Sequence, residues 1–154
     1  MDIEVQLPLD SDGFVRRECP HCFEQFKWHH GPANEEAESA ADPPAYHCPL
    51  CGQPAGHDSW YTQTQLDYMD EAAAPAIAQF MDDAIGQVFK GASMKHVKFE
   101  RTGHLDVPDH PDPLMEPDDM VIVASPCHGY EPVKVPAEHT GPLYCLICGA
   151  AFAV

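Results

Sequence analysis

Cys19-Pro20-His21-Cys22 and Cys48-Pro49-Leu50-Cys51-Gly52 decide how this chain is read. Each cysteine pair encloses two residues, and residues 23–47 separate the pairs. A Cys-x-x-Cys turn presents two sulfurs about 3.5–4 Å apart without strain, the separation that metal–sulfur bonds of about 2.3 Å require. Two such turns make a four-thiolate metal site of Cys19, Cys22, Cys48 and Cys51. The glycine after Cys51 suits a turn whose amides point back at sulfur. Four unligated thiols at this spacing is the bland alternative, and the regularity of the spacing speaks against it.

The rest of the composition says why such a site is needed. At 154 residues the chain suffices for one ordinary domain or two small ones. Sixteen prolines, ten glycines and 9% aromatics leave little for a large continuous core, so each small lobe needs a staple. The opening Met1-Asp2-Ile3-Glu4-Val5 has no apolar signal-peptide core, and no stretch approaches the roughly 18 apolar residues of a membrane span. A cytoplasmic protein is therefore expected, and there Cys-x-x-Cys pairs are metal ligands more often than disulfides. Eight basic against 25 acidic residues give a net charge of −17, which thiolate-bound divalent ions would take to about −20. Such a surface repels phosphate backbones and favours basic partners, which disfavours nucleic acid.

Ahead of the first knuckle, Ile3, Val5, Leu7 and Leu9 read as a strand or extended arm closed by Ser11-Asp12-Gly13. Phe14 to Glu18 leads into Cys19 and Phe23 to Trp28 leads out, an arrangement of strand, tight cysteine turn and strand. Residues 31–45 are small, acidic and proline-flanked and read as a mobile loop. Between Pro75 and Lys90 the residues Ile77, Phe80, Met81, Ala84, Ile85, Val88 and Phe89 follow helical spacing, and Leu66, Met69 and Ala73 extend the stripe backwards. Asp58 or Ser59 is the expected cap, and Pro75 must start a new helix or kink a long one. The stripe is read as an ordinary packed face, with a partner-binding or dimer face as the alternative. Met94 to Glu100 reads as a short strand, Thr102 to Asp119 as an extended acidic proline-rich linker, and Met120 to Ala124 as a strand delivering the chain to Cys127.

The C-terminal segment repeats the N-terminal one. Glu24-Gln25-Phe26-Lys27-Trp28 matches Glu131-Pro132-Val133-Lys134-Val135, and Tyr46-His47-Cys48-Pro49-Leu50-Cys51-Gly52 matches Leu143-Tyr144-Cys145-Leu146-Ile147-Cys148-Gly149. Aligning Cys127 with Cys19 makes the second knuckle one residue shorter and puts His128 or Gly129 where Cys22 belongs; only His128 binds metal. A second site of Cys127, His128, Cys145 and Cys148 is expected, with His139, His110, His104 or an exogenous ligand as the alternative fourth ligand; an open fourth position would be the one route to a catalytic zinc. His21 and His47, beside the first site, are read as donors to its sulfurs.

Each copy resembles a zinc ribbon of the rubredoxin-like group, two knuckles on two β-hairpins, with Cys-Pro-Leu-Cys-Gly typical of the second knuckle. The resemblance covers about residues 13–58 and 120–154. It implies an α+β chain in which two small zinc-ribbon units flank or pack around a central helical segment, with boundaries at 1–58, 59–91, 92–119 and 120–154. Two Zn2+ per chain and no catalytic residue are expected, in an acidic adaptor or protein-interaction module. Its protein partner would be basic, and the Ile77 to Phe89 face offers a route to a homo-oligomer. The four cysteines of the first site also permit a rubredoxin-like iron or thiol redox protein, although Phe23 to Trp28 lacks the pattern rubredoxins show there. Arg16, Arg17 and Lys27 around the first knuckle, with Lys90, Lys95, Lys98 and Arg101 after the helix, could alternatively form a local basic patch for nucleic acid.

Overall fold

The computed structural model describes residues 2–92 and 95–154. Alternating apolar residues on either side of the first knuckle pair as antiparallel strands β1 (Phe14–Glu18) and β2 (Gln25–His29). The region expected as a mobile loop holds a short helix, α1 (Glu35–Ser39). The Asn34 side chain caps it by accepting from the Ala37 amide at 2.9 Å, and Glu35, Glu36 and Glu38 complement its positive end. The second knuckle sits on the hairpin of β3 (Tyr46–His47) and β4 (Pro54–Ala55). After the long helix α2 (Gln63–Gly91) the pattern recurs, with β5 (Val121–Val123) pairing β6 (Val133–Val135) and β7 (Leu143–Tyr144) pairing β8 (Ala151–Phe152). One long helix and small antiparallel sheets make the α+β class.

Two compact units are present: Leu7–Gln65 with Leu114–Val154, and residues 2–6 with Leu66–Pro113. The first holds the eight strands found among the described residues. Its principal sheet has the order β1-β2-β6-β5, with Lys27 opposite Lys134. Those lysines are the matched residues of the repeated unit, so the two copies meet across β2 and β6 about an internal two-fold axis. Phe26, Trp60, Val123, Val133, Val135 and Leu143 are buried in one core with Cys19 and Cys48. Trp28 and Tyr46 pack on it, their rings 4.9 Å apart.

Two ammonium groups side by side in a buried sheet need counterions. The Asp10 carboxylate supplies one, 3.1 Å from Lys27 Nζ and 2.7 Å from Lys134 Nζ. A tight turn with Gly13 at φ +85° aims it, and it also accepts from the Asp12 and Phe14 amides. Together these donors overcome burial and hold the Asp10 carboxyl well below the ordinary carboxylate range. Glu116 and Asp119, read from sequence as linker acids, complete the cage around Lys27 at 3.0 and 3.2 Å. Arg16 is paired with the same two acids. Arg17 lies over the rings of Trp28 and Tyr61. Of the three cations around the first knuckle, Arg16 and Lys27 are thus engaged in internal ion pairs and Arg17 in ring stacking.

The cap of α2 is Thr62. Its hydroxyl accepts from the Gln65 amide at 3.1 Å while the Gln65 side chain accepts from the Thr62 amide at 3.0 Å, a reciprocal capping box that replaces the expected Asp58 or Ser59. Pro75 lies inside one continuous helix. The expected apolar stripe is largely exposed: Phe80 is 59% accessible, Met81 51% and Val88 70%. The buried residue of that turn is Asp82, whose carboxylate accepts from the Leu105 amide at 2.8 Å and pairs with Arg101 and His104. Of the strand expected over Met94 to Glu100, Met94 lies outside the described residues, Val97 is a single bridge, and residues 98–100 have no regular structure. Val97 and Phe99, each 49% accessible, have no core to alternate against. The arm ahead of Asp10 likewise forms no strand. Among the described residues no helix is long and apolar enough to cross a membrane.

Candidate metal centres

Short hairpins bring the knuckles together in pairs. Cys19, Cys22, Cys48 and Cys51 place their sulfurs within 4.8 Å of one another, with Cys19 Sγ 3.7 Å from Cys51 Sγ and Cys22 Sγ 3.9 Å from Cys48 Sγ. Four sulfurs bound tetrahedrally at about 2.3 Å stand about 3.8 Å apart, so the array fits a single tetrahedral ion. Backbone amides meet the sulfurs: His21 N donates to Cys19 Sγ and Leu50 N to Cys48 Sγ, each at 3.4 Å. These amides, rather than the imidazoles of His21 and His47, serve the site. The His21 ring sits 3.0 Å from the Pro54 carbonyl, and the His47 ring lies against Gly149.

The electrostatics also ask for a cation. Burial opposes ionisation of Cys19, but the amides of Cys22 and His21 outweigh it and lower the thiol. Burial and the neighbouring Cys19 push Cys22 up to about 11, and burial with both neighbours drives Cys48 well above the ordinary thiol range. One thiolate is welcome and the next are refused, a conflict that a divalent ion removes.

The second cluster gathers Cys127, His128, Cys145 and Cys148, again within 4.8 Å. Cys127 and Cys148 sulfurs are 3.5 Å apart, and His128 Nδ1 is 3.4 Å from Cys145 Sγ. A nitrogen and a sulfur on one tetrahedral zinc stand about 3.6 Å apart, so this donor set fits as well. His139 instead lies 3.3 Å from the Pro142 carbonyl, His104 is paired with Asp82, and His110 lines a groove beside Tyr68 and Ala72. Cys127 and Cys148 are exposed, whereas in the first cluster Cys19 and Cys48 are buried and Cys22 and Cys51 half-buried. All seven cysteines are free thiols.

Ser125 belongs to this centre and escaped the sequence reading. Phe26 faces Arg17 as Val133 faces Val123, so two residues further on Ser125, not Cys127, takes the strand position of Cys19. Ser125-Pro126-Cys127-His128 therefore overlays Cys19-Pro20-His21-Cys22, with His128 on Cys22. The buried Ser125 hydroxyl donates to Cys145 Sγ at 3.2 Å and accepts from the His128 amide at 3.2 Å. Burial would raise Cys145, but this hydroxyl and the amides of Cys148 and Ile147 bring it down to about 6, poised as a ligand. The shared Ser-Pro and Cys-Pro dipeptides were the available signal.

The two centres touch through their second knuckles. The His47 amide donates to the Leu146 carbonyl at 2.8 Å and the Tyr144 amide to the Pro49 carbonyl at 2.9 Å. The third acidic group, Asp10, Asp12 and Asp118, is engaged by Lys134 and by backbone and belongs to the ionic cage. Neither family models, curated proteins nor solved structures yield a match to this chain.

Proposed function

We propose that this chain is a non-enzymatic protein whose two cysteine clusters hold structural zinc ions, two per chain, and that it serves as an acidic adaptor for a basic protein segment. One observation carries the structural reading: each cluster supplies four protein donors at tetrahedral spacing, which leaves no coordination position for a substrate. When bound, the metal neutralises thiolates and cross-links hairpins that have little core of their own. Chelator titration followed by far-UV circular dichroism tests this. Loss of β structure together with zinc supports it, and a sheet that survives zinc removal contradicts it.

The partner reading rests on charge and on α2. A cavity of about 520 Å³ is lined by Ala73, Ala74, Ile77, Ala78, Met81 and Leu105, with Asp70 and Asp106 beside them. An apolar floor with acidic margins on a chain of net charge −17 suits a basic amphipathic helix and repels a second copy. Fluorescence anisotropy with a labelled Leu/Lys helical peptide checks it. Binding weakened by Ile77→Asp supports the surface, while equal binding of a Leu/Glu peptide, or self-association of the chain alone, overturns it.

A second reading, thiol redox control, is favoured by the exposed Cys127 and Cys148, whose sulfurs are 3.5 Å apart. Full zinc retention under peroxide contradicts that reading.

A further inference from the structure

The contact between the second knuckles is reciprocal. His47 and Tyr144 occupy the same place in the repeated unit, immediately before ligands Cys48 and Cys145. Pro49 and Leu146 are also equivalent, immediately after those ligands. Each strand residue donates its amide to the other copy's knuckle carbonyl, at 2.8 and 2.9 Å. The side chains repeat the exchange. The Tyr144 ring lies on Gly52, where an added Cβ would come within 2.8 Å of Cδ1, and the His47 ring lies on Gly149, where the corresponding distance is 2.6 Å. Gly52 and Gly149 hold φ of +77° and +75°, the left-handed turn that each knuckle requires.

We infer that this latch couples the two metal centres, so that zinc at either one raises the affinity of the other. The inference rests on the reading that both clusters hold zinc. A metal gripped by Cys48 and Cys51 fixes the Pro49 carbonyl between them. That carbonyl then holds the Tyr144 amide, and with it the backbone leading into ligand Cys145. By the same route a metal at Cys145 and Cys148 fixes Leu146 and orders His47 ahead of Cys48. The second ion meets a ligand strand already ordered by the first and loses less conformational entropy on binding. Linkage makes the effect equal in both directions, and its size falls within about 5–150-fold.

Zinc titrated against a chromophoric chelator measures the coupling. Cys145→Ser leaves only the first centre, Cys48→Ser only the second, and the coupling factor is the native chain's two-zinc constant divided by the product of the two single-centre constants. A factor of about 5–150 is expected in the native chain, and a smaller one when the same measurements are made in a His47→Ala/Tyr144→Ala background, which keeps all eight ligands and both backbone bonds but removes the rings that lie on Gly149 and Gly52. A factor of 1 in the native chain overturns the inference, as does a factor that the double substitution leaves unchanged. Native mass spectrometry at one equivalent of zinc gives a readout that needs no ligand variant. The one-zinc species is expected to be more abundant in His47→Ala/Tyr144→Ala than in the native chain, and an unchanged fraction overturns the coupling. A native chain that takes up no zinc at all would instead sink the underlying structural-zinc reading.

Discussion

Replacing Lys27 by Met removes a charge from the centre of the β2–β6 junction while keeping most of the side-chain volume. Lys27 and Asp10 side chains have no solvent exposure, and the Glu116 side chain is only 6% accessible. Without Lys27 Nζ, Asp10 keeps Lys134 at 2.7 Å and Glu116 keeps Arg16 at 2.9 Å, so neither carboxylate is stranded entirely. Breaking a buried pair costs about 3–5 kcal/mol, and this residual pairing places the expected loss near the lower end, about 3 kcal/mol. Urea unfolding at fixed excess zinc, followed through the fluorescence of Trp28 and Trp60 beside the sheet, gives the value directly. Adding Asp10→Asn should make the double variant lose less than the sum of the single losses, because the two groups face one another. A loss below about 1 kcal/mol, the range of an exposed ion pair, would refute the assignment of Lys27 to a buried cage.

Other expectations follow from the same contacts. His128→Ala should lower the zinc content from two ions toward one, whereas His139→Ala should leave it unchanged, as metal analysis of each variant will decide. Ser125→Ala removes the hydroxyl on Cys145 Sγ and should weaken the second centre by about 10–100-fold in a chelator competition while sparing the first. The carboxyl of Asp10 is held below its ordinary range, so its contribution to stability is complete above about pH 4 and is lost as pH falls through its folded value. The stability gap between the native chain and Asp10→Asn, measured by denaturant unfolding, should therefore be constant near neutrality and shrink in acid.

How much of this was legible in the sequence depended on the range of each interaction. The four cysteines of the first knuckle pair announce themselves by spacing alone, and the repeat around Lys27 and Lys134 is visible because its residues are contiguous. What that repeat means for the fold is not local. Matched lysines could be aligned in sequence, yet only the β2–β6 register shows that they face each other and must share Asp10. Glu116 and Asp119 read as linker charges because their partners lie about a hundred positions away, and ion pairing across that distance leaves no periodic trace. The α2 stripe was legible as a helix but not as an exposed face, since helical spacing states which residues share a side and not what covers it. Thr62-Gln63-Thr64-Gln65 carries the capping-box pattern in plain sight, and Asp58 and Ser59 merely stood closer to the preceding loop. Ser125 was hidden by the assumption that cysteine aligns with cysteine.

The claim beneath all of these contacts is that the two clusters are closed structural zinc centres. The metal content of the purified chain, read as mass and elemental composition together, tests it most directly. Two zinc ions per chain in a colourless protein, both released with loss of the sheet, is the result this account predicts. A red protein with iron at Cys19, Cys22, Cys48 and Cys51, or a folded chain that carries no metal, would contradict it.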